Sequence, residues 1–158
     1  MLMLEPVTAE DFEEMLTLRM EALRESLERL GRFDPARGRE RLRAGFAPQH
    51  MHHIVKNGER IGFFTLRPLD AANQEQALRL DHLYIRPEAQ SQGAGTWVME
   101  QIKARAQESN RAVTLAALKL SDANRFYLRH GFELVEEQEF DLEYRWSPQT
   151  VCASEVTP

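Results

Sequence analysis

The sequence predicts a mixed α/β domain, a central sheet flanked by helices. Three observations carry that prediction. Short β-rich runs bounded by turn residues recur in the first half, among them 52–56 and 59–67. These two are joined by Asn57-Gly58, a dipeptide that accepts the positive φ of a tight hairpin. Apolar residues fall at helical spacing from Phe12 onward. Over 77–118 the order strand, helix, strand forms a crossover of the kind that joins parallel strands.

In chain order, Leu2 and Leu4 alternate in a short strand that ends at Pro6. Thr8 is an N-cap, with Glu10 and Asp11 in the first turn, where the helix dipole favours a carboxylate. Phe12, Met15, Leu16, Arg19, Leu23, Leu27 and Leu30 follow at helical spacing, and Gly31 stops the helix. A break is expected near Arg24. Asp34-Pro35 starts a second, arginine-rich helix that ends near Pro48. After the hairpin, a polar loop over 68–76 leads to a strand at 77–85. A helix over 96–110, a strand over 112–118, and a helix from its cap Ser121 to about His130 come next, the last ended by Gly131. Two final strands fall near 132–136 and 139–146. Residues 1–146 are thus read as one domain. Residues 147–158, with two prolines and no apolar period, are read as a frayed tail with Cys152 exposed.

A chain of 158 residues suits one domain with a sizeable core. The formal net charge of -5 argues against sequence-independent nucleic-acid binding, which needs a basic field, and against an anionic membrane surface. Cys152 is the single cysteine, so no intrachain disulfide or cysteine-based metal site can form. No basic start precedes a long apolar run, so neither a signal peptide nor a membrane helix is expected, and a reducing cytoplasm is the expected compartment.

The stretch Gln90-Ser91-Gln92-Gly93-Ala94-Gly95-Thr96 places two glycines at the start of a helix that otherwise looks well built. Glycine lowers helix propensity, so the pair marks either a tight turn or a close approach to the backbone. With the strand LRLDHLYIRP before it and SDANRFYLRHGFELVEE after it, the chain resembles the GNAT superfamily of N-acyltransferases. The resemblance covers nearly the whole chain in element order and rests, at motif level, on 80–95 and 121–132. Asn124, the pair Phe126-Tyr127 and Gly131-Phe132 carry the second motif.

The resemblance implies a mixed sheet with splayed central strands and acetyl-CoA as co-substrate, without a metal. Backbone N–H groups over 92–96 would then cradle the pyrophosphate at a helix N-terminus. Gln90 stands where many members have arginine, Ser91 replaces a common glycine, and Gln92 replaces a frequent basic residue. Pantetheine would lie in the splay, along the backbone of Leu83, Tyr84 and Ile85, where an N–H can also polarise the thioester carbonyl. Asn124 either bonds CoA or is a solvent-facing or capping polar residue. By residue pattern alone Tyr127 is an aromatic packed beside Phe126; the resemblance makes it the general acid that protonates the departing thiolate.

The attacking amine must be neutral, and Asp81, His82 and Glu25 are the candidate bases. Adjacent Asp81 and His82 point to opposite faces of a strand unless a bulge intervenes. Asp81 lies where the family often carries acidic residues. His50, His52 and His53 resemble a metal tract but lack a partner at helix spacing, and read as exposed imidazoles at a strand entrance. Arg32, Arg37, Arg39, Arg41 and Arg43 read as a solvated face, with attraction of an acidic acceptor as the alternative. The expected partner is a small-molecule or peptide amine acceptor. A homodimer is implied only at family level.

Overall fold

The computed structural model describes residues 1–69 and 77–149. Most of the expected 68–76 loop, and the tail from residue 150 with Cys152, lie outside the described residues. The elements run β1 (Leu2–Pro6), α1 (Phe12–Arg29), α2 (Pro35–Ala44), β2 (Met51–Lys56), β3 (Glu59–Pro68), β4 (Leu78–Ile85), α3 (Ala94–Ser109), β5 (Val113–Leu118), α4 (Ala123–Arg129), β6 (Glu133–Glu137) and β7 (Asp141–Trp146). The strands form one sheet in the order β1-β2-β3-β4-β5-β7-β6, antiparallel except for the parallel pair β4–β5.

Helices cover both faces. On one, Val98, Met99, Ile102 and Ala106 of α3 pack against Leu80, Val113 and Leu115. On the other, Phe12, Met15, Leu16 and Leu18 of α1 and Leu42 of α2 close over Met51 and Phe63. Burial of these stripes, rather than helix propensity, is what holds such helices in place.

The expected break near Arg24 does not occur. Two ion pairs at i,i+4 spacing, Arg24–Glu28 at 2.8 Å and Arg29–Glu25 at 3.2 Å, support the last turns of α1. Asp34 caps α2 as expected, its Oδ1 accepting from the Ala36 and Arg37 amides at 3.1 and 3.3 Å. Asn57 and Gly58 take φ of 53° and 84°, the hairpin turn read from their identities. At the C-terminal end, Gln149 exchanges two hydrogen bonds of 2.9 Å with the Gln107 side chain of α3.

Two irregularities shape the centre. Leu66 pairs with Leu80 and Thr65 with His82, so Asp81 is an extra residue on β4. This bulge reverses the alternation of the strand. Leu78 and Leu80 pack toward α3 before it, while Leu83 and Ile85 do so after it. His82 and Tyr84 therefore turn toward α1 and α2. The second irregularity is the parting of the sheet: β4 and β5 pair only through Leu78–Val113, Arg79–Thr114 and Leu80–Leu115. Beyond that point they diverge into a wedge.

Candidate active site

The wedge opens on its β4 side along 82–85, and the strand leads directly into the glycine turn. Pro87–Ala89 forms a short 3-10 turn, after which Ser91 and Gly93 adopt φ of 63° and 87°. The chain then enters α3, whose first intrahelical donor is the Trp97 amide bonding Gly93 at 3.1 Å. The Ala94, Gly95 and Thr96 amides precede that bond and lack intrahelical acceptors, the ordinary condition of a helix start and a favourable one for an anion.

The two glycines have different reasons. A Cβ on Gly93 would meet nothing within 4 Å, so its surroundings are open, and its positive φ is what favours glycine. A Cβ on Gly95 would stand 3.2 Å from Phe126 Cε1 and 3.6 Å from Ile85 Cδ1. Gly95 thus lets α3 pack against α4 and β4. Ala94 is buried and offers only its backbone.

The polar residues of the turn are engaged locally. Gln90 Nε2 donates to the Ile85 carbonyl at 2.7 Å, and Gln92 Nε2 donates to the Glu88 carbonyl at 3.2 Å. Ser91 is exposed. Thr96 Oγ1 lies 3.4 Å from His130 Nε2. Lys56, from the far end of β2, donates to Gln92 Oε1 at 2.9 Å. An ammonium thus reaches a turn whose own sequence lacks a basic residue, which no local pattern could reveal.

Tyr127 is 7% exposed, its ring edge-on to Phe126 and Phe132 at centroid distances of 5.4 and 5.7 Å. Among the described residues its hydroxyl makes no hydrogen bond. Burial pushes its ionisation above the usual tyrosine range, and the nearby Tyr84 phenol pushes the same way. Two phenols, one from α4 and one from β4, are therefore close enough to sense each other's charge. Asn124 is held internally: Nδ2 donates to the Leu118 and Ser121 carbonyls at 2.8 and 2.9 Å, and Oδ1 accepts from Tyr144 at 2.8 Å. Both its amide donors serve the joint between β5 and α4.

The three candidate bases are separated. Asp81 is ion-paired with Arg67 and lies 3.7 Å from Arg79 Nε. Glu25 is an exposed partner of Arg29. His82 Nδ1 lies 2.9 Å from the Tyr84 hydroxyl, and burial, aided by the Arg19 guanidinium, lowers its pKa to about 4. His82 is thus neutral at pH 7 but too weakly basic to take a proton from an alkylammonium directly. The histidine tract is not exposed as expected. His53 is 2% exposed and bonds Asp11 at 2.9 Å, while His52 stacks on Phe64. Among the described residues no cluster suited to a metal occurs. Nor is any described helix long and apolar enough to cross a membrane.

Above the wedge, the end of α1 reaches two neighbouring turns. Arg29 donates to the Leu120 carbonyl, and Arg32 lies over the Phe140 ring at 4.0 Å. In α2, Arg39 pairs with Glu13 and Arg43 covers Phe12 at 4.5 Å, so part of the arginine-rich face is engaged in packing.

A parted mixed sheet with a glycine turn entering a helix beside the parting defines a class, the acyltransferase fold expected from the motifs. Residues 48–134 match the family model described as an acetyltransferase (GNAT) domain. The chain belongs to the GNAT acetyltransferase family. It is similar to the PaiA N-acetyltransferase of Thermoplasma acidophilum in complex with coenzyme A, at 15% identity and a TM-score of 0.71, over 93% of this chain and 99% of that one. It is also similar to PH1933 of Pyrococcus horikoshii, at 14% identity and 0.74, over 96% and 100%. A third similar structure, Ard1 of Thermoplasma volcanium, stands at 15% and 0.69, over 94% and 98%. Comparison with curated proteins returns no match.

Proposed function

We propose that this protein transfers the acetyl group of acetyl-CoA to a primary amine by direct attack. The observation that carries the reading is the wedge: β4 and β5 part after Leu80 and Leu115, and the free edge of β4 faces a gap near Tyr127. The PaiA structure, which holds coenzyme A, supports the identity of the donor.

Acetyl-CoA supplies an activated thioester. The amides of Ala94, Gly95 and Thr96 face its pyrophosphate, with Lys56 adding charge from β2. The backbone of Leu83, Tyr84 and Ile85 orients the pantetheine amides and offers an N–H to the thioester oxygen, where negative charge develops on attack. Tyr127 holds a proton toward the sulfur. Its raised pKa keeps it protonated at any physiological pH, and the same dry surroundings raise the proton affinity of the departing thiolate. Since Asp81 and Glu25 are ion-paired and His82 is a weak base, water carries away the proton of the amine. The test is thiol release from acetyl-CoA across amino acids, polyamines, aminoglycosides and peptides, with the acetylated product identified by mass. No thiol release with any amine would leave an acyl-CoA-binding module instead.

A further inference from the structure

Arg19 lies in the apolar stripe of α1, between Leu16 and Leu23, and is 5% exposed. A guanidinium in such a place is strongly unfavourable unless a counter-charge and hydrogen-bond acceptors meet it. Among the described residues no carboxylate pairs with Arg19; the Tyr84 hydroxyl accepts a hydrogen bond from it, while its Nε is buried without a partner. Its neighbours make room and compensate only in part, through Tyr84. The guanidinium carbon lies 5.6 Å from the centre of the Tyr84 ring. A Cβ on Gly38, inside α2, would stand 3.1 Å from Arg19 Nη1, so a helix interior carries glycine where this cation lies.

The surroundings add more positive charge. Arg41, exposed on α2, acts electrostatically on His82 and Tyr84 together with Arg19. Arg67 and Arg79 stand on the same face of the sheet, set against Asp81 and Glu143. Thr65, paired in register with His82, has a second buried and unpartnered polar atom, Oγ1. In a chain of formal net charge -5, this is a local excess of cations around an unmet donor.

We propose that the acceptor amine carries a carboxylate, in a molecule the size of an amino acid, and that Arg19, assisted by Arg41, holds that carboxylate beside the wedge. The proposal rests on the acetyltransferase reading and names its second substrate. Distance sets the size. Tyr84, over which Arg19 lies, belongs to the unpaired run of β4, so only a few bonds separate the carboxylate from an amine poised at the thioester. A bidentate guanidinium suits a carboxylate, and burial strengthens the pair. A recess of about 330 Å³ elsewhere carries more carboxylates than cations, with Glu14, Glu21 and Glu88 beside Arg86.

The experiment titrates CoA-bound protein with each common L-amino acid beside its carboxamide, which keeps the amine and removes the charge, and with spermidine. Wild type, Arg19→Met and Arg41→Gln are compared, and thiol release from acetyl-CoA is measured on the same pairs. At least one amino acid should bind wild type ~30-fold or more tightly than its carboxamide. Arg19→Met should erase most of that difference without changing CoA affinity, and Arg41→Gln should reduce it by about threefold, most visibly at low salt. Equal binding of acid and amide, a preference for spermidine, or undiminished discrimination in Arg19→Met would overturn the proposal. Should Arg19→Met fail to fold, the wild-type pairs and Arg41→Gln decide. Acid-over-amide binding without thiol release would keep the carboxylate site and remove the enzyme reading; thiol release without discrimination would do the reverse.

Discussion

Replacing Tyr127 by phenylalanine removes one oxygen and leaves the ring among Phe126, Phe132 and Tyr144. Because the hydroxyl has no hydrogen-bond partner among the described residues, its loss should alter stability by less than about 1 kcal/mol. Removal of a general acid, by contrast, lowers a rate by ~10²–10⁴-fold. That range corresponds to about 3–5 kcal/mol of transition-state stabilisation. The effect should fall on kcat and kcat/KM together, with the CoA dissociation constant little changed. Steady-state thiol release, single-turnover acetyl transfer and calorimetric titration with CoA measure the three quantities, and a thermal melt checks the fold. Because burial holds the phenol above its usual range, wild type should show no loss of activity from this group below about pH 10. A single-turnover rate within about twofold of wild type would remove Tyr127 from the mechanism.

Further expectations follow from the packing and charge around the site. Gly62→Ala places a Cβ 2.2 Å from the Tyr84 carbonyl oxygen, so β3 and β4 must separate; a loss of about 3 kcal/mol or more, read by urea melts, is expected. Lys56→Gln should weaken CoA roughly three- to tenfold and flatten its salt dependence, measured by titration at two ionic strengths. Acid should destabilise the fold in two stages, followed by urea midpoints across pH. His82, lowered from 6.5 to about 4, favours unfolding as pH falls through that interval, a stage that His82→Asn should lack. Burial alone would raise the Asp11 carboxyl, but hydrogen bonds with His53 and Thr8 and the Arg60 charge hold it at about 2. Its contribution is present above 3.8 and lost as pH falls toward 2, and Asp11→Asn should abolish that second stage.

Much of this fold was legible because its signals are local. Asp34-Pro35, Asn57-Gly58 and Gly131 each satisfy a backbone requirement within a few residues of themselves, and the structure shows all three in those places. The order of elements and the family motifs supplied the parallel pair and the splay. What the sequence obscured was decided by distant neighbours. Phe126, 31 positions from Gly95, gives that glycine its reason. Asp11 draws His53 into the interior, against the expectation of exposed imidazoles. The Arg67 and Arg79 guanidinium groups engage Asp81, and only the strand register shows that Asp81 is the bulge separating it from the alternation of its neighbours. Arg19 was visible as an arginine within an apolar stripe, but its lack of a counter-charge required the folded surroundings.

The three-residue seam between β4 and β5 leaves a raw strand edge in the middle of a sheet rather than at its margin. Outer edges are usually blunted by charge, bulges or covering loops, since unpaired backbone groups recruit other chains. An inner edge can be quieted only by something slender enough to enter the cleft. On the function proposed above, a pantetheine arm, with its own two amides, would be such a filler, completing the sheet as a temporary strand made of another chemistry. Occupancy and cohesion are then one property, since a molecule that binds only the folded form adds its binding energy to folding. The donor would then be mortar as well as reagent, and each turnover that released it would briefly unpick the wall it helped to join.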